Sequence, residues 1–219
     1  MSSTPVPPVR FLETKARVEG RGNPPDTFLS ELVDWAKSED LTVFAPNEVP
    51  KDIFSVIRPT LGPWQLTDGE PVPYVFHRRA ALCEAMRVHA GFESSWDWNE
   101  GVDTTNRTSM RNIEGQETGI FQVSHDSLAL DKSGGLGKWL SIGVPAAVGS
   151  APAFIAAMKG DHLLAMQYYA RLVRINIRWA GPLVRGEILN SLRRNAVDEF
   201  ARLLSPGTRP VALQQSPTV

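Results

Sequence analysis

The stretch from Arg78 to Ser124 constrains the chain more than any other. It reads RRAALCEAMRVHAGFESSWDWNEGVDTTN and then RTSMRNIEGQETGIFQVS. Leu82, Met86, His89 and Ala90 recur at helical spacing, and Glu93 continues their stripe one turn past His89. The helix is expected to end there, in an acidic, aromatic turn. A carboxyl group on the inner side of a helix is costly unless it has a partner or a task. A helix C-terminus and desolvation both favour the neutral acid, the form a general acid needs.

Length and charge narrow the field. At 219 residues the chain suits one domain of ordinary size with extensions. The net charge is -1 and no long basic run appears, so nothing argues for nucleic acid. The single Cys83 excludes a disulfide framework and reads as a small buried thiol. The most apolar late stretch, 142–158, is interrupted by Pro145, Gly149 and Pro152 and is too short to span a bilayer. MSSTPVPPVR lacks a charged-then-apolar leader pattern. The chain is therefore expected to be cytoplasmic as made, monomeric and without membrane insertion.

Along the chain, residues 1–25 read as a flexible arm rich in Pro, Gly, Ser and Arg. Residues 26–75 read as a helical extension. In it Asp26 caps a helix bearing Phe28, Leu29, Leu32, Val33 and Ala36, a short helix follows around 52–57, and Pro59 to Trp64 form a rigid turn. Residues 76–205 read as the main domain, with loop material from about 133 to 151. Asp161 caps a late helix whose apolar positions run Leu164, Tyr168, Leu172, Ile175 and Trp179, stopped by Gly181-Pro182. A last helix is expected over about 187–204, and 206–219 as a polar tail. The expectation is an α+β fold, predominantly helical, with one small β element between Asn106 and Ser124.

Glu93-Ser94 at a helix end, then a polar β-like stretch, then Gly119-Ile120-Phe121-Gln122-Val123-Ser124, resembles the active-site core of the lysozyme-like superfamily. Soluble lytic transglycosylases and goose-type lysozymes are the nearest in pattern. The resemblance covers about residues 76–125. It implies a lysozyme-like domain in which Glu93 is the catalytic acid and Gln122 and Ser124 lie on the sugar cleft. The substrate it implies is peptidoglycan or a related β-1,4-linked amino-sugar polymer. For such a chain, phage-type lysis or a dedicated secretion system would give access to the wall.

Several other residues bear on that chemistry. A hydrolase needs a second carboxylate, roughly 5–9.5 Å from the first depending on stereochemistry. Asp97, Glu100, Asp103, Glu114 and Glu117 are candidates, with Glu117 and Asp103 best placed by chain geometry. A lytic transglycosylase needs none, because a substrate hydroxyl closes onto the anomeric carbon. Trp96 and Trp98 could be sugar platforms or a plug behind the loop, and Trp64 a platform or core. Tyr168 and Tyr169 fall where the transglycosylase family brings a Tyr to its acid; Tyr168 is the candidate, with core packing as its other reading, and the family's Tyr-Asn-Ala-Gly motif is absent. Asp97, Asn99 and Asp103 alternate like the opening of a calcium loop, with the Gly early and Thr108 in place of the closing Glu. No cofactor is expected; Ca²⁺ is the metal to look for if one binds. His77, His89, His125 and His162 form no zinc spacing, and His89 could hydrogen-bond Glu93 at i, i+4. The rival expectation is a lysozyme-like scaffold that binds glycan or protein without turnover.

Overall fold

Residues 78–91 are buried all round, so the helix that carries them is the axis of the molecule. The computed structural model describes residues 10–49, 51–63, 71–101 and 112–205, with the backbone alone at 71–73. Its helices are α1 (Asp26–Ser38), α2 (Ile53–Leu61), α3 (Pro71–Ser94), α4 (Gly135–Gly143), α5 (Pro145–Gly149), α6 (Ala151–Gly160), α7 (His162–Ile175), α8 (Gly181–Val184) and α9 (Arg194–Leu203). Helix α3 is the axis; α1, α2, α8 and α9 pack on it, and α7 packs against α1 and α2. Ala80, Ala81, Ala85, Ala90 and Gly91 keep it slim enough to be surrounded. A helix buried on every side shows no single apolar stripe.

One hydrophobic cluster joins Val18, Phe28, Trp35, Phe54, Met86, Phe121, Phe154, Tyr169 and Phe200. The helical extension and the main domain thus share a core, and α3 runs through the boundary expected at 75/76. Residues 10–25 are pinned rather than flexible. The Leu12 and Thr14 N–H groups donate to the Glu199 carboxylate at 2.9 and 2.6 Å, and Val18 is wholly buried.

The core is crossed by arginines that reach the open carbonyls of other elements. Arg78 donates to Phe44 O at 2.5 Å and lies over the Phe54 ring at 3.5 Å. Arg79 donates to Leu204 O at 2.9 Å, satisfying a carbonyl at the end of α9. Arg171 holds Glu39 with both terminal nitrogens, at 3.0 and 2.9 Å, tying α7 to the end of α1. Arg174 pairs with Asp52.

Several local expectations are corrected. Pro25, not Asp26, is the N-cap of α1; Asp26 begins the helix and pairs with Lys15. Helix α2 continues through Pro59 to Leu61, where a turn was expected, and Trp64 lies outside the described residues. The region read as loop up to 151 is mostly α4 and α5. Pro145 and Pro152 sit in the first turns of α5 and α6, where a missing N–H costs nothing. Helix α7 ends at Ile175, so Trp179 is on the following loop. The last helix is split into a 3₁₀ turn, Glu187–Ser191, and α9. Of the stretch expected to be β, 112–124 hold a 3₁₀ turn, Ile113–Gly115, and an isolated bridge between Thr118 and Val123; 106–111 lie outside the described residues.

Candidate active site

Glu93 stands in the last turn of α3, where the chain leaves the core. Its side chain is 17% exposed, while that of His89, one turn earlier, is fully buried. His89 Nε2 lies 3.0 Å from Glu93 Oε1. The contact is close but off-line, and neither ring nitrogen of His89 has an aligned hydrogen bond among the described residues. The imidazole stacks on Tyr169 (5.3 Å between centroids, 29°) and meets Trp179 edge-on (6.1 Å, 85°). Tyr169 in turn stacks on Phe121 at 4.1 Å.

Ser94 fixes the helix end to the Gly119–Gln122 turn. Its hydroxyl lies 3.1 Å from Ala90 O and 2.9 Å from Ile120 O. The turn is closed by Thr118 and Val123, which exchange backbone hydrogen bonds of 2.9 and 3.2 Å. Gly119 has φ +68°, and a Cβ there would come within 3.2 Å of Met158 O, so the position takes Gly for both reasons. The Glu-Ser pair and the Gly-x-x-Gln segment therefore meet in space. Gln122 is buried, also at positive φ, and its side-chain amide donates to Gly119 O at 2.9 Å. The Ser124 hydroxyl donates to Asp126 at 2.5 Å.

The tryptophans are built into the scaffold. Trp96 is buried, its indole N–H donates to Arg87 O at 2.9 Å, and its ring covers Gly91, where a Cβ would be only 2.7 Å away. Trp98 stacks on His162 (3.8 Å, 7°), which itself lies 3.1 Å from the Glu31 carboxylate. The two rings thus tie the acidic turn to α3, α1 and α7.

The two tyrosines differ. Ser127 donates to Ser124 O at 2.5 Å, which leaves Tyr168 to donate to Ser127 Oγ at 2.6 Å. Tyr169 is the one beside Glu93: its hydroxyl has no partner among the described residues, and burial followed by the Glu93 charge pushes its ionisation well up. Tyr168→Phe is expected to cost about 1 kcal/mol of stability, the worth of a buried hydrogen bond. Tyr169→Phe, which removes an unpartnered hydroxyl, should cost close to nothing. Urea denaturation of both variants checks this; an equal loss in the two would contradict the assignment.

Arg185, just past α8, also feels the Glu93 charge, after that of Glu187, which it holds through Nε and a terminal nitrogen at 2.5 and 3.1 Å. This cation and Glu187 were not anticipated, and no periodicity marks them. Among the proposed second carboxylates, Glu117 is half-buried at the mouth of the Thr118–Val123 bridge. Glu114 pairs with His125. Asp103 lies outside the described residues. Asp97 accepts the Asn99 N–H at 2.8 Å, a plain polar turn. No group of three or more His, Cys, Asp or Glu among the described residues could hold a metal ion.

Glu93, His89 and Tyr169 line none of four grooves whose walls are described residues. One of these, of 470 Å³, runs along Ile177, Arg178, Leu183 and Val184, on the same segment as Trp179 and Arg185. No helix of the described residues is long and apolar enough to cross a membrane. Compared with protein-family models, with curated proteins and with solved structures, the chain matches none.

Proposed function

We propose that the protein is a muramidase that cleaves the β-1,4 glycosidic bond of peptidoglycan, with Glu93 as the general acid. One observation carries the reading. A carboxyl group at the end of a buried helix, partly exposed, is held beside the Gly-x-x-Gln turn by the residue that follows it. That is the order and meeting of parts the lysozyme-like resemblance calls for. Glu93 would protonate the leaving glycosidic oxygen as the C–O bond breaks. Glu117 or Asp103 would then take a proton from the attacking water or stabilise the oxocarbenium-like state. Backbone and polar groups of the Gly119–Ser124 segment would hold the sugar.

A lytic transglycosylase is the second reading, and Tyr169 favours it. In that family a Tyr commonly accompanies the acid, and the Tyr169 hydroxyl is subject to the Glu93 charge. There the 6-hydroxyl of the substrate replaces water and gives its proton to Glu93 as its oxygen bonds the anomeric carbon.

Borohydride reduction followed by mass spectrometry of the products separates the two. A muramidase gives reducing ends that gain two hydrogens; a transglycosylase gives anhydro ends that do not. A protein that binds sacculi and releases neither is a scaffold, and the enzymatic reading then fails.

A further inference from the structure

We propose that His89 is the positioning residue of the Glu93 carboxyl, holding one oxygen from the buried side so that the other carries the transferable proton. The inference rests on reading Glu93 as the acid.

The geometry supports it at four points. His89 Nε2 approaches Oε1 to 3.0 Å from a ring with no exposure, whereas Glu93 itself reaches solvent. The contact is therefore made on the protein side. Both ring nitrogens are otherwise without aligned partners among the described residues. A buried, unpartnered polar group costs about 1–3 kcal/mol, so a ring that served only as packing would be better replaced by an apolar one. Its rotation is blocked by the Tyr169 stack and the Trp179 edge. Phe121, on the same turn that Ser94 holds, backs Tyr169 in turn. Such a supporting layer is what keeps a reacting group in place.

The proton balance is simple. With its hydrogen on Nε2, the imidazole donates to Oε1 once the 3.0 Å contact comes into line. The other oxygen of Glu93 gives its proton to the glycosidic oxygen as that C–O bond breaks, and Nε2–H meets the carboxylate charge that develops. His89 neither gains nor loses a proton. Off-line catalytic contacts of this kind commonly tighten when substrate arrives. The titratable groups that face the pair are Tyr169 from α7 and Arg185 beyond α8, itself bound to Glu187.

The test compares wild type, Glu93→Gln, His89→Phe and His89→Gln on purified sacculi across pH. His89→Phe should lower kcat about 10- to 100-fold, the range for a lost hydrogen bond to a charged group, with KM little changed. Its pH–rate profile should differ from that of the wild type, because the ring that faces one carboxyl oxygen no longer carries a donor. His89→Gln, which keeps an N–H within reach, should recover much of the rate. If the wild type is active, Glu93→Gln is not, and both His89 variants keep the wild-type pH profile, this inference fails alone. If the wild type is inactive, the reading of Glu93 fails and takes this inference with it.

Discussion

Glu93→Gln is expected to lower the rate of sacculus solubilisation by about 10³-fold, within the range for loss of a general acid. The amide has the shape of the acid but no proton to give. The variant should fold as the wild type does. The side chain lies at the edge of the core, 17% exposed, and its amide can still meet His89. The change in stability should therefore stay within about 0.5 kcal/mol. Binding to sacculi should persist, since the contacts of the Gly119–Ser124 segment are untouched. A variant that loses rate only in proportion to lost folding would contradict the role given to Glu93.

Arg87→Met is expected to be the most damaging substitution for folding, at about 3–5 kcal/mol. Arg87 and Glu84 are both fully buried and joined by two hydrogen bonds of 2.7 Å. Arg87 also donates to Ala16 O at 2.9 Å, and Glu84 accepts the Arg193 N–H at 2.9 Å. The pair therefore binds the N-terminal segment and the start of α9 to the axis. Without Arg87, Glu84 is a buried carboxyl with its main counter-charge gone. Burial already pushes Glu84 above the ordinary carboxylate range, and Arg87 is the largest opposing influence. In acid below that range the group is neutral folded or unfolded, so the loss should be smallest there and grow as pH rises. Guanidinium denaturation at two pH values measures it. The double variant Glu84→Leu/Arg87→Met should be less destabilised than Arg87→Met, because it leaves no buried charge. Equal losses in the two would mean that packing, and not the unpaired charge, dominates.

How far these features were legible in the sequence depended on whether a local signal existed. The apolar pattern of α1 and the side-chain cap of α7 are local, and Asp161 accepts from the Leu164 N–H as such residues do at helix starts. The existence of α3 was legible for the same reason. Its burial on every side was not, because a stripe describes one face, and the neighbours that cover the rest include α1, α2, α8, α9 and the segment carrying Ala16 and Arg21. Gly and Pro were over-read as loop between 133 and 151. Pro145 and Pro152 begin helices rather than end them, and nothing local separates the two uses. Tyr168 and Tyr169 are both wholly buried on α7, so periodicity could not choose between them; only the fold puts Tyr169 against His89. Arg185 and Glu187 carry no periodic or motif signal. The pairing of Ser94 with Ile120 O joins two segments that the resemblance had already brought together in order, though not in space.

The most direct measurement is mass spectrometry of the soluble fraction after purified sacculi are incubated with the wild-type protein. The account predicts muropeptides that accumulate with time and protein concentration, with Glu93→Gln releasing almost none. Sacculi that remain intact under the wild-type protein, or that dissolve equally under the variant, would contradict it.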